Sequence, residues 1–141
     1  MKTKGLVIVL ASVLFTSCSD VLIEDNIAGT WELKAYLRND IEETSEINIS
    51  DYEESYALAE TYSRRYIDGK QQLVEETGKF DINEDDMSIH ISDVSSIADF
   101  SDHHSTLSSS IIHVETINET EFVYSYENGG DNHEFRFIKK E

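Results

Sequence analysis

Three groups of side chains in this chain have the types and spacing that chemistry needs. Asp81-x-Asn83-x-Asp85 opens as a calcium loop does, with oxygen donors at alternate positions. The loop then carries Asp86 where the sharp turn needs Gly and Ser92 where the bidentate Glu belongs, so an ordinary hairpin turn is expected. Asp99, Asp102, His103 and His104 offer nitrogen and oxygen ligands, but they lie in an unpatterned, Ser-rich run. A metal needs three or four groups held in convergence, which such a run does not supply, and solvated side chains are expected. His90, His113 and His133 fall on separate segments, each near serines or carboxylates. A Ser–His–acid triad can be drawn from them on paper, but no nucleophile elbow supports it. Neither a Gly-rich phosphate loop nor a basic aromatic surface is present. The expectation is a protein with no catalytic residues, no metal and no cofactor.

The lone cysteine, Cys18, has a clearer use. Lys2 and Lys4 make a basic start, Gly5 to Phe15 is an apolar run of 11 residues, and Thr16-Ser17-Cys18 follows. A bilayer-spanning helix needs about 20 apolar residues, so this order reads as a secretory signal with small residues at the cut. It looks like a bacterial lipoprotein signal, in which the cysteine becomes the lipidated first residue. That resemblance implies residues 1–17 as signal peptide, an acyl anchor on Cys18 and a short acidic tether over 18–26. Its further implication is a place in the cell envelope, at the outer membrane, facing either the periplasm or the exterior. An ordinary cleaved signal is the alternative.

Removing 17 of the 141 residues leaves 124, enough for one domain with its own core, spanning 27–141. Both signal lysines would leave, so 9 basic residues would face 29 acidic ones, a formal charge of −20 against −18 for the whole chain. Such a charge repels nucleic acid and favours solubility, and it leaves room for a cationic envelope partner. With no proline and one cysteine, neither a rigid linker nor an internal disulfide is available.

Period-two alternation dominates the rest, as expected of strands with one buried face. Trp31, Leu33, Ala35 and Leu37 share one face of the first segment, and 41–49 reads as an acidic loop. Ser50-Asp51-Tyr52-Glu53 has capping-box spacing, predicting a short helix near 51–61. Strands are expected at 62–67 and 71–75 around an Asp68-Gly69 hairpin, then at 78–82 and 87–91 around the turn 83–86. A long polar loop over 93–110 precedes strands at 112–116, 122–126 and 133–139. About eight short strands joined by tight turns make an antiparallel meander, which hides its apolar face and its edges by closing into an up-and-down barrel.

Ile27-Ala28-Gly29-Thr30-Trp31 resembles the Gly-x-Trp opening of lipocalins, and short Bacteroidetes-type lipocalin-like lipoproteins begin this way just after their anchor. In that family the Trp packs against an Arg near the end of the last strand; the resemblance assigns those parts to Trp31 and Arg136. Alternation, however, sets Arg136 opposite Phe135 and Phe137. The inward set is Trp31, Leu33, Phe80, Ile89, Phe122, Tyr124, Tyr126, Phe135 and Phe137. Eight strands leave space either for one small ligand or for side chains alone. Two readings follow: an anchored barrel that binds a small hydrophobic or amphipathic molecule, or one with a filled core that meets another envelope protein.

Overall fold

The computed structural model describes residues 21–94, 97–101, 104–106 and 110–141; residues 1–20, with the stretch read as a signal and Cys18, lie outside the described residues. The elements in chain order are α1 (Ile23–Asn26), β1 (Gly29–Arg38), β2 (Ile41–Glu42), a 3-10 turn (Thr44–Glu46), β3 (Ser50–Ala57), β4 (Thr61–Ile67) and β5 (Leu73–Asn83). They continue with β6 (Ser88–Ser92), β7 (Ile97–Ser101), β8 (His104–Thr106), β9 (Ser110–Ile117), β10 (Glu121–Asn128) and β11 (Asp131–Lys139). Eight strands pair antiparallel in the order β1, β3, β4, β5, β6, β9, β10, β11, and β11 pairs back onto β1. The sheet is therefore a closed barrel, with β2 added on β1 and β7–β8 forming a separate two-stranded ribbon.

The strand count agrees with expectation, but two of its parts differ. No helix forms near 51–61; those residues belong largely to β3 and β4. The Ser50–Glu53 spacing loses to a stronger period, because Tyr52, Glu54 and Tyr56 alternate inward and find partners there. Conversely, 73–75 and 78–82 are one strand, β5, since nothing between them turns the chain, and Gln71 and Gln72 lie before it. Asp68-Gly69 is not a two-residue turn: Asp68 accepts from the backbone of Lys70 and Gln72, and positive φ falls at Gln71. The tight two-residue hairpin is instead Gly129-Gly130, both with positive φ, between paired Asn128 and Asp131. Within the expected loop 93–110 lie β7 and β8, whose pairing is made by backbone groups and leaves no apolar alternation in sequence.

A β-bulge between Leu33 and Ala35 resets the face of β1. Trp31 is inward and fully buried, Leu33 is half-buried against the core, and beyond the bulge Tyr36, not Ala35 or Leu37, faces in. The chain then folds back at 41–46, where Thr44 Oγ1 accepts from the Tyr36 amide and Arg38 pairs with Glu43 at 2.9 Å. At the opposite end α1 closes the barrel. Its Ile23 and the following Ile27 are 0% and 3% exposed, so part of the stretch read as tether is a plug. Glu84, on the β5–β6 turn, holds α1 in place by accepting from the amides of Ile23 and Glu24.

Candidate binding site in the barrel interior

All seven tyrosines of the chain are buried. They arrive by simple alternation: Tyr52 and Tyr56 flank Glu54 on β3, and Tyr62 and Tyr66 flank Arg64 on β4. The pairing register then sets Trp31, Glu54, Arg64 and Glu76 side by side on β1, β3, β4 and β5, all facing in. Glu54 is 1% exposed and Arg64 3%. A carboxylate so placed requires hydrogen bonds that replace its water. Tyr52 and Tyr124 donate to Glu54 Oε1 at 2.7 Å each, and Tyr56 donates to Oε2 at 2.9 Å. Arg64 Nε donates to Glu76 Oε2 at 2.7 Å.

Burial and neighbouring charge fix the protonation states of the phenols and of Arg64. Burial first, then the neighbouring Glu54 charge, pushes the Tyr52, Tyr56, Tyr62 and Tyr124 phenols well above the usual tyrosine range. Tyr126 is raised by burial and by Tyr36. Burial alone would lower the Arg64 guanidinium, but Tyr52, Tyr62 and Glu76 outweigh it and hold it above its ordinary value. The phenols are therefore neutral donors and Arg64 is a permanent cation. At the other end of the interior His133, 1% exposed, shares a 2.7 Å hydrogen bond with Tyr36 and stacks between Tyr36 and Tyr126. Burial lowers its imidazole below the usual histidine range, against the opposing charge of Asp131.

Of the nine inward residues expected from sequence, eight are buried in one cluster and Leu33 is half-buried at its margin. Their rings also meet between strands that are not neighbours. Tyr56 on β3 reaches Phe122 on β10 at 5.8 Å between centroids, and Tyr52 reaches Phe137 on β11 at 6.2 Å. Trp31 packs on Phe122 at 5.5 Å, and Tyr124 and Phe135 stack at 5.1 Å.

The partner of Trp31 differs from the one the resemblance implied. Arg136 is half-exposed and pairs outside with Glu134 at 2.5 Å, as alternation requires. Lys139, register partner of Trp31, lays its ammonium 4.8 Å from the Trp31 ring centre and donates to the Asn26 carbonyl. This explains Gly29. Its φ is +125°, and a Cβ there would stand 2.8 Å from Lys139 Cε. Trp31 Nε1 completes the corner by donating to the Ile27 carbonyl at 2.8 Å.

The other candidate chemistry does not assemble among the described residues. Asn83 Oδ1 accepts from the Asp85 amide within a turn, and no group of three or more His, Cys, Asp or Glu converges there or elsewhere. Asp102 and His103 lie outside the described residues, while Asp99 and His104 fall on β7 and β8. His90 and His113 point outward. Ser88 and Ser125, register partners of His113, direct their hydroxyls to Asp86 and Glu115.

Glu54, Arg64, Tyr36, Lys139 and the four tyrosines of β3 and β4 were not singled out from the sequence as interior residues, and His133 was weighed only for a Ser–His–acid triad. A usable signal was present in Tyr-x-Glu-x-Tyr (52–56) and Tyr-x-Arg-x-Tyr (62–66), two period-two triplets of matched form and opposite charge. Charge at the middle position hid the strand pattern.

No protein-family model matches the chain, and no curated protein matches it. Solved structures do. A lipocalin-like protein from Bacteroides uniformis superposes with a TM-score of 0.58 at 15% identity, covering 81% of this chain and 98% of that one. An uncharacterized protein from Bacteroides eggerthii gives 0.57 at 12% identity, covering 82% and 100%. At these identities the likeness is one of fold. The chain is an antiparallel, closed, eight-stranded barrel of lipocalin-like architecture with one extra strand.

Proposed function

We propose that this chain is a non-catalytic, lipid-anchored protein of the cell envelope whose barrel is filled by its own side chains and which recognises a protein partner on its outer surface. The observation that carries the reading is the bridging of the interior by Tyr124 and Glu54, at 2.7 Å between β10 and β3, together with the Tyr56–Phe122 contact. A ligand at that level would have to break a charge-assisted hydrogen bond and part packed rings. The anchor rests on the Lys2/Lys4 start, the apolar run and Cys18. A second reading, a small amphipathic ligand in the mouth, draws on Glu76, an inward carboxylate whose side chain is 17% exposed.

Titration with a dansylated undecanoic acid separates the two. The filled-core reading expects no saturable change in probe fluorescence, and saturable binding at one probe per chain overturns it. Palmitate labelling that disappears in Cys18→Ala supports the anchor, and unchanged labelling refutes it.

A further inference from the structure

The strongest unassigned feature outside the interior is a cavity of about 250 Å³ at the α1 end of the barrel. Its floor is apolar, formed by Ile27, Tyr56, Phe80 and Ile82. The floor is also rigid: Tyr56 and Phe80 pack edge to face at 5.2 Å, and the Phe80 amide donates to the Glu60 carbonyl. Around it stand four carboxylates, Glu24, Glu60, Asp81 and Glu84, with no basic residue in the lining. Among the described residues no lysine or arginine pairs with any of the four. Leu58, 91% exposed on the β3–β4 turn, extends the apolar surface at the lip.

Resting on the reading that recognition is external, we propose that this cavity docks a basic, amphipathic peptide segment of a protein partner, one apolar side chain entering and flanking lysines or arginines meeting the rim. Size and charge select that occupant. Pockets for whole small molecules run from roughly 300 to 1,000 Å³, so this one suits a single large side chain. An apolar floor rejects a bare cation, and four carboxylates with no lysine or arginine beside them repel an anionic tail. The same rim disfavours a second copy of this acidic chain.

The test uses full-length protein in phosphatidylcholine nanodiscs, with empty nanodiscs as blank, and a fluorescein-labelled peptide of alternating leucine and lysine. Anisotropy is expected to show saturable binding, weakened about tenfold by the double variant Glu60→Gln/Asp81→Asn. Glu121→Gln/Glu127→Gln, which removes equal charge from exposed positions elsewhere, is expected to leave binding within about twofold of the parent. A glycine–lysine peptide of equal charge is expected to bind at least about tenfold more weakly. The proposal is overturned by absent binding, by equal weakening in the two double variants, by equal affinity for the glycine peptide, or by self-association that Glu60→Gln/Asp81→Asn abolishes. None of these outcomes touches the filled interior, which the fatty-acid titration reads by itself.

Discussion

Replacing Glu54 by Gln keeps the shape of the interior and removes its charge. The carboxylate accepts three phenol hydrogen bonds, and bonds to a charged group contribute about 1.5–3 kcal/mol each, against about 0.5–1.5 for neutral ones. The amide oxygen of the new side chain can still accept from Tyr52 and Tyr124 as neutral bonds, and its NH₂ can donate to the Tyr56 hydroxyl oxygen, so the third bond is kept in reversed, neutral form. Three bonds, each weakened by about 1–1.5 kcal/mol, give a destabilisation of about 3–4.5 kcal/mol. That is a large share of the roughly 5–15 kcal/mol by which such domains are stable, and it corresponds to a melting point lower by about 10 °C. Equilibrium urea unfolding followed by Trp31 fluorescence measures it. Tyr124→Phe should cost about 1–2 kcal/mol alone and much less when combined with Glu54→Gln, because the two share one bond. Additive losses, or a change under about 1 kcal/mol for Glu54→Gln, would refute the claim that the carboxylate organises the interior.

Removing the ammonium over Trp31 with Lys139→Met should cost about 0.5–2 kcal/mol by urea unfolding, whereas Arg136→Met, half-exposed, should cost under about 0.5 kcal/mol. The phenols of Tyr52, Tyr56, Tyr62, Tyr124 and Tyr126 are raised in the folded state, so the unfolded chain sheds protons first as pH passes about 10. Stability should fall above that pH, and phenolate absorbance should rise in one step together with loss of β dichroism; early, fold-independent ionisation of five tyrosines would contradict their burial. His133 is lowered in the folded state, so the unfolded chain binds its proton first as pH drops below about 6.5, and stability contributed by the neutral ring is lost on the acid side. Urea midpoints between pH 7.5 and 5.5 should fall with pH, and more shallowly in His133→Phe.

Much of the fold was legible because a barrel with one wet face imposes period two on its sequence. Ile89 and Ile91, Ile112 to Thr116 and Phe122 to Tyr126 carry that pattern in apolar residues, and they sit where expected, in β6, β9 and β10, while Met87 falls in the turn before β6. The stretch 50–62 was misread because its inward residues include a charge. Glu54 and Arg64 occupy core positions that hydrophobicity alone assigns to solvent, and only the phenols and Glu76 supply what makes their burial tolerable. Tyr36 was misplaced for a different reason: the bulge after Leu33 shifts the phase by one residue, and a bulge has no composition of its own. The corner at Trp31 was half legible. Gly29 and Trp31 marked it, but its cation depends on the register between β1 and β11, which brings Lys139 rather than Arg136 to the ring.

The central claim is that rings from different walls of the barrel meet at its axis. Isotope-edited nuclear Overhauser spectra of the ligand-free protein test it directly, through cross-peaks between the Tyr56 and Phe122 rings and between the Tyr52 and Phe137 rings. Both pairs of cross-peaks are expected, unchanged when lauric acid is added. Their absence, or their disappearance on stoichiometric addition of lauric acid, would mean that the interior is a cup and not a core.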